Sequence, residues 1–305
     1  MTPLLGQIFA VITAACWAQN SLIYAYTGSV IGSRSVTHIR LWAALPMMVI
    51  LHLIFTGAVI PSGLAARTYL AFAVSGAVGF GLADLFIFQA FVDIGPRETM
   101  VLMTTSPIFS ALLSRVMNND RLQGIETLGM AVTLLGVAMV VLYDRRKAND
   151  SRSTGVHHLR GVVFGLSGAL AQAVGVALSK GGLAYEPVHP VSANLIRLTA
   201  GLLALMLYAA IRREFSNDFR KMLNPSNRKT VLLIAFAALV GPVGGIILNL
   251  YALSVVSAGV VAALTQVTPI MLLPYERFVQ KKHIRSGAVA GTITAIGGVF
   301  LLFLA

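Results

Sequence analysis

Ten stretches of the chain are too apolar and too long for a protein folded in water. They run approximately over 3–26, 35–55, 68–92, 98–117, 123–143, 160–180, 191–211, 229–252, 259–279 and 284–304. A helix needs about 20 residues to cross the hydrocarbon core of a bilayer, and each stretch is of that order. Little is left over for a soluble domain. Only 11% of the 305 residues are charged, against roughly 25% in a soluble chain. Hydrocarbon offers the backbone no hydrogen bonds, so each stretch must satisfy its own, which favours helices. The expected fold is an all-α membrane protein with ten transmembrane helices. The first stretch has no basic n-region and is too long for a cleavable signal, so it reads as the first span. The single cysteine, Cys16, excludes an intrachain disulfide and a Cys-based zinc site.

A formal charge of +12 could suggest a nucleic-acid partner. The distribution argues against one, because the basic residues lie mainly in short loops between spans. Assigned alternately to the two faces, eighteen Lys and Arg fall on one side and four on the other, with Arg197 left inside a span. The rich face carries "DRRKANDSRSTGVHHLR" and "RREFSNDFRKMLNPSNRK". Positive residues mark the cytoplasmic side, so both termini are expected to face outside.

The chain also repeats itself. Shifted by 162 residues, "TTSPIFSALLSRVMNNDRLQGIETLGMAVTLLGVAMVVL" falls on "TQVTPIMLLPYERFVQKKHIRSGAVAGTITAIGGVFLLFL". Pro107 then meets Pro269, Gly129 meets Gly291, Gly136 meets Gly298, and Gly79 meets Gly241. Arg40-Leu41 corresponds to Arg197-Leu198 at a shift of 157. The expected organisation is a first five-helix repeat over 1–143, a basic linker over 144–159 and a second five-helix repeat over 160–305. Five spans is an odd number, so the second unit enters the membrane from the opposite side. Inverted repeats of this kind are common in secondary transporters.

At this point the chain resembles a known family. Trp17 lies in the first span, and Arg40 and Arg197 open the second span of each unit. Ser106-Pro107 lies in the fourth span, with Thr268-Pro269 in the repeat, and the small-residue stretches "GMAVTLLG" and "GTITAIGG" end each unit. The pattern is similar to the drug/metabolite transporter superfamily, in its ten-span EamA-type branch, and covers essentially the whole chain. It departs after the fourth span. Glu-Arg or Glu-Lys is frequent there in the family, whereas Asp120-Arg121 and Lys282-His283 stand here. The resemblance implies a multi-pass transporter of a small molecule in a bacterial-type cytoplasmic membrane. It also implies cytoplasmic termini, whereas the eighteen-to-four bias in Lys and Arg places them outside.

Polar residues inside spans usually face the bundle interior or a wet cavity. In "CWAQNSLIY" three stand together, Gln19, Asn20 and Ser21, and they cover too much of the helix circumference to share one face. Trp17, Asn20 and Tyr24 do share one, at i, i+3 and i+7. They are expected to line a substrate cavity, with helix–helix glue as the alternative. Gln89 and Tyr251, equivalent under the repeat, are expected to approach the two-fold axis from opposite units. Gln172, Asn249 and Gln266 are further substrate-binding candidates. Pro107 and Pro269 each free a carbonyl one turn back, either for substrate or merely as a kink. Asp84 is the one acid well inside a span. It could carry a coupling proton or bind a cationic group, or it could pair with a basic side chain such as Arg40. Arg40 and Arg197 lie near span ends, where they could snorkel to headgroups; either could instead bind a substrate carboxylate.

Signatures of the HExxH, GxSxG and phosphate-loop types are absent. The expectation is not an enzyme, with no cofactor and no metal. It is a secondary transporter of a small organic metabolite such as an amino acid, in the direction of export, by alternating access. Its partners are the substrate and membrane lipids, and a monomer is favoured. A lipid or lipid-linked headgroup flippase is the second transport reading, and a membrane enzyme or receptor the reading from another class.

Overall fold

The computed structural model describes residues 2–94, 99, 102–119, 123–144, 155–212, 215–268, 270–271, 277–278 and 286–304. Among them the regular structure is entirely helical. Six stretches are long and apolar enough to cross a membrane: Pro3–Gly28, Arg34–Thr56, Ala66–Ile87, His158–Tyr185, Pro190–Ile211 and Pro225–Val255. Two shorter apolar stretches, Gly124–Met139 and Val289–Leu302, lie in helices of their own. Their outward faces are greasy. On the helix Pro190–Ile211, Leu203, Leu207 and Ile211 are all exposed, four residues apart on one stripe. Such a stripe is stable against lipid tails and a liability in water.

The helices used below are α1 (Pro3–Ile31), α2 (Ser33–Thr56), α3 (Ala66–Gly76), α4 (Ala83–Asp93), α5 (Ser106–Asn118), α6 (Gly124–Asp144), α7 (Gly155–Tyr185), α8 (Pro190–Ile211), α9 (Phe215–Leu223), α10 (Arg228–Ala238), α11 (Ile246–Val255), α12 (Ala258–Thr265) and α13 (Ser286–Leu304). A π-helical segment joins α3 to α4 over Ala77–Leu82, and another joins α10 to α11 over Leu239–Gly245. The two begin 162 residues apart, the interval of the sequence repeat. Glycines loosen both, and Pro242 in the second lacks the N–H that an α-helix would need at that point. A widened π turn tolerates these residues, and such turns recur at functional sites.

The fourth stretch of each unit is interrupted at corresponding places. The Thr105 N–H donates to the Leu102 carbonyl (3.0 Å) and the Ile108 N–H to the Thr105 carbonyl (3.1 Å). At the 162-residue shift, Val267 donates to Leu264 (3.3 Å) and Ile270 to Val267 (2.9 Å). These tight i→i−3 bonds end one helix and start the next. Pro107 therefore opens α5 in its first turn rather than kinking a continuous helix. A proline is well placed there, because a first-turn N–H has no helical partner to lose. Pro269 lies outside the described residues.

Contacts between the two parts of the chain are reciprocal. Gly129 of α6 lies against Gly298 and Leu302 of α13, and Gly136 lies against Gly291 and Ala295. Each glycine thus meets the repeat counterpart of the other, the pattern that a two-fold axis generates. Asn20 and Trp17 of α1 pack on Gly241 in the second π segment, while Gly175 of α7 packs on Gly79 in the first. Gly79 and Gly241 are again repeat counterparts. The first helix of each part therefore seats on the π segment of the other.

Close backbone approach at α6–α13 leaves no room for side chains. A Cβ on Gly136 would fall 2.6 Å from the Gly291 carbonyl, whereas one on Gly297 would meet nothing within 4 Å. Gly136→Leu is expected to lower the thermal midpoint in detergent sharply, by more than the roughly 1–3 kcal/mol typical of overpacking. Gly297→Leu should leave it unchanged. Equal midpoints for the two variants would refute the packing.

Candidate functional site

Two basic residues, Arg40 and Arg197, stand at matching depth in α2 and α8. Each is the eighth residue of its helix, about 10 Å along it at 1.5 Å per residue. Neither snorkels. Their relative exposures are 2% and 6%, because the neighbouring helices close over them. Arg40 is ion-paired with Asp84 in the first turn of α4 and lies over the ring of Tyr24, 5.6 Å from its centroid. The candidate pair of Arg40 with Asp84 is therefore present.

Arg197 is placed differently. Its guanidinium lies over the ring of Phe80, 5.2 Å from the centroid, within the first π segment. Gly79 lies beside it: a Cβ there would stand 3.6 Å from one of its terminal nitrogens, an ordinary contact distance. No carboxylate within the described residues pairs with it, and its Nε is buried without a hydrogen-bond partner.

On α1, Asn20 is wholly buried, pressed on Gly241 with Trp17 beside it. Both Asn20 side-chain polar atoms lack a protein partner, as does Nε2 of Gln19. Ser21 donates its hydroxyl to the Ala18 carbonyl at 2.8 Å and is satisfied within its own helix. Asn194 of α8 donates to the carbonyl of Pro242 (2.9 Å) and to the sulfur of Met48 (3.4 Å), and its Oδ1 is left without a partner. Polar side chains from both parts of the chain thus lie against the π segments: Asn20 and Asn194 against the second, and Arg197 against the first. Buried polar groups are normally bonded. Orphans concentrated here are groups that an entering polar molecule could satisfy.

Gln89 and Tyr251 do not meet. Gln89 donates to Asp93 (3.0 Å), which takes a two-pronged ion pair from Arg160 at 2.8 and 2.6 Å. Tyr251 faces His189, with 3.4 Å between its hydroxyl and Nε2, and packs edge-on against Phe9. Arg160 lies near the start of α7 and His189 just beyond its end, about 38 Å apart along the helix axis. Gln89 and Tyr251 therefore lie near opposite ends of α7. Gln172 and Asn249 are half-buried on α7 and α11, and Gln266 ends α12.

The EamA-like transporter family matches residues 4–142 and again 159–304. The chain belongs to that family. Members are membrane transporters of small molecules, and this chain is an integral multi-pass membrane protein. A solved crystal structure aligns over 98% of this chain and 96% of its own length, with a TM-score of 0.73 and 15% sequence identity. That likeness concerns the fold. Among individually curated proteins, none matches the sequence.

The importance of Asn194 escaped the sequence reading, since a single amide near a span start carries no signal. Arg197 carried one. Applying the 162-residue shift to Asp84 lands on Ile246, so the second part of the chain lacks the acid that serves Arg40.

Removing one partner of a buried ion pair strands the other. Asp84→Asn is expected to destabilise the protein by about 3–5 kcal/mol, and the double variant Arg40→Met/Asp84→Leu to recover most of that. Thermal or denaturant unfolding in detergent reads both. A fully stable Asp84→Asn protein would sink the account.

Proposed function

We propose that the protein is a ten-span secondary transporter, built as two inverted five-helix repeats, that exports a small organic metabolite such as an amino acid by alternating access. One observation carries this reading. The π segments at 77–82 and 239–245, each seated under the first helix of the other part, bring orphaned polar side chains together deep in the bundle. Secondary transporters place their sites at the repeat interface, where interrupted helices expose polar groups. Trp17 supplies a flat apolar wall with a polar edge, and Asn20 supplies a donor and an acceptor. A substrate with an apolar body and a polar end suits that lining.

The domain limits follow the same logic, with 1–143 and 160–305 as the two units and 144–159 as a cytoplasmic linker. The eighteen-to-four bias in Lys and Arg supports termini on the outer side. Single cysteines in 144–159 should be shielded from an impermeant thiol reagent in intact cells, and one at residue 305 should label. The reverse pattern overturns the orientation.

Transport itself is tested in sealed proteoliposomes with a panel of labelled amino acids and related metabolites. Accumulation that collapses when the vesicles are permeabilised supports the reading. Product formation without a sealed vesicle would indicate an enzyme instead. Asn20→Leu removes two buried orphan polar atoms, each a cost of about 1–3 kcal/mol when unpaired. The variant should keep or raise the thermal midpoint while flux falls several-fold. Wild-type flux from a normally folded Asn20→Leu protein would remove Asn20 from the site.

A further inference from the structure

Arg40 shows what a buried guanidinium at this depth requires: a carboxylate, supplied by Asp84, and an aromatic ring, supplied by Tyr24. Arg197 has the ring, Phe80, and no carboxylate among the described residues pairs with it. At the position that corresponds to Asp84, the second repeat carries Ile246, a buried aliphatic residue. The acid nearest along the element that holds Phe80 is Asp84 itself, one turn further on, and it is engaged by Arg40. An intramembrane charge without a partner is costly and marks a function. Here it is more than nine-tenths buried, with Gly76 and Gly79 packed against it.

We infer that Arg197 is the anion receptor of the transport site, and that the substrate must present a carboxylate to it. This rests on the transporter reading and narrows the substrate class. The fork of a guanidinium matches the two oxygens of a carboxylate. Asp84 is already neutralised by Arg40, so an ammonium group finds no free acid among the described residues of this site. Selection therefore turns on the anionic end. Free acids bind, and their neutral amides do not. The ring of Phe80 faces the cation and shields it from the apolar side.

The test is ligand-induced stabilisation of the full-length protein in detergent. The probes are L-leucine and 4-methyl-2-oxopentanoate, each compared with its amide. Wild type should gain thermal stability from the free acids and none from the amides. Arg197→Met should be at least as stable as wild type without ligand, because an uncompensated charge is removed, and should lose the response. Arg197→Lys should bind at least about tenfold more weakly, since a point charge cannot make the paired contact. If Arg197→Met unfolds readily, or if amides stabilise as well as acids, the inference fails. A second arm exchanges phosphatidylcholine for phosphatidylglycerol in nanodiscs. A stabilisation that depends on Arg197 and appears only with phosphatidylglycerol assigns the anion to a lipid headgroup and refutes the metabolite site. Flux in proteoliposomes is read separately: flux that is indifferent to Arg197 sinks this site alone, and binding without flux sinks the transporter reading.

Discussion

The structure depends on one constraint, that a bilayer interior supplies no hydrogen bonds to a peptide backbone. Unbroken helices meet it without help. Broken ones need a neighbour. The second π segment is backed on both sides: Asn194 donates to the Pro242 carbonyl, and the Thr13 hydroxyl reaches the Gly245 carbonyl at 3.1 Å. Beside the first, the Ser75 hydroxyl donates to the Gly175 carbonyl at 2.6 Å and pairs with Ser179. Irregular backbone is tolerated at these places because another helix lies against it. Two of those helices, α1 and α7, come from the other part of the chain, so the breaks and the swapped packing are linked. The same packing brings side chains from both parts to the two breaks.

Within that frame the two parts diverge in charge. Arg40 is neutralised internally by Asp84, and the pair gives α2 and α4 a fixed relation inside the bundle. Arg197, its counterpart, rests on an aromatic ring and pairs with no carboxylate among the described residues. Small residues set the geometry around it, since a Cβ on Gly76 would run into the Arg197 backbone. A repeated scaffold thereby holds two corresponding arginines in different surroundings. The ends of the bundle are held by different chemistry. One has the Asp93–Arg160 ion pair, and the other has the Phe9, Tyr251 and His189 ring cluster.

Much of this was legible in the chain itself, because it follows from local composition. Apolar length dictates membrane-spanning helices, and the glycines and prolines of "SGAVGFG" and "GPVGG" foretell where the third span of each part weakens. The 162-residue register picks out glycines that the structure pairs across α6 and α13. The face shared by Trp17 and Asn20 was also readable, since helical spacing is a local property. What sequence could not supply is depth and partnership. Gln89 and Tyr251 correspond in sequence yet lie at opposite ends of the bundle, one bonded to Asp93 and the other beside His189, and a register along the chain does not fix depth. Pro107 reads as a kink in a one-dimensional pattern. In three dimensions it begins a helix, because tight turns at Thr104 and Thr105 have already ended the previous one. Arg197 looks like a span-end residue with access to headgroups; only the packing of α2, α3 and the first π segment around α8 encloses it. Whether a buried charge has a partner is decided by residues distant in the chain, and that relation exists only once the helices are assembled.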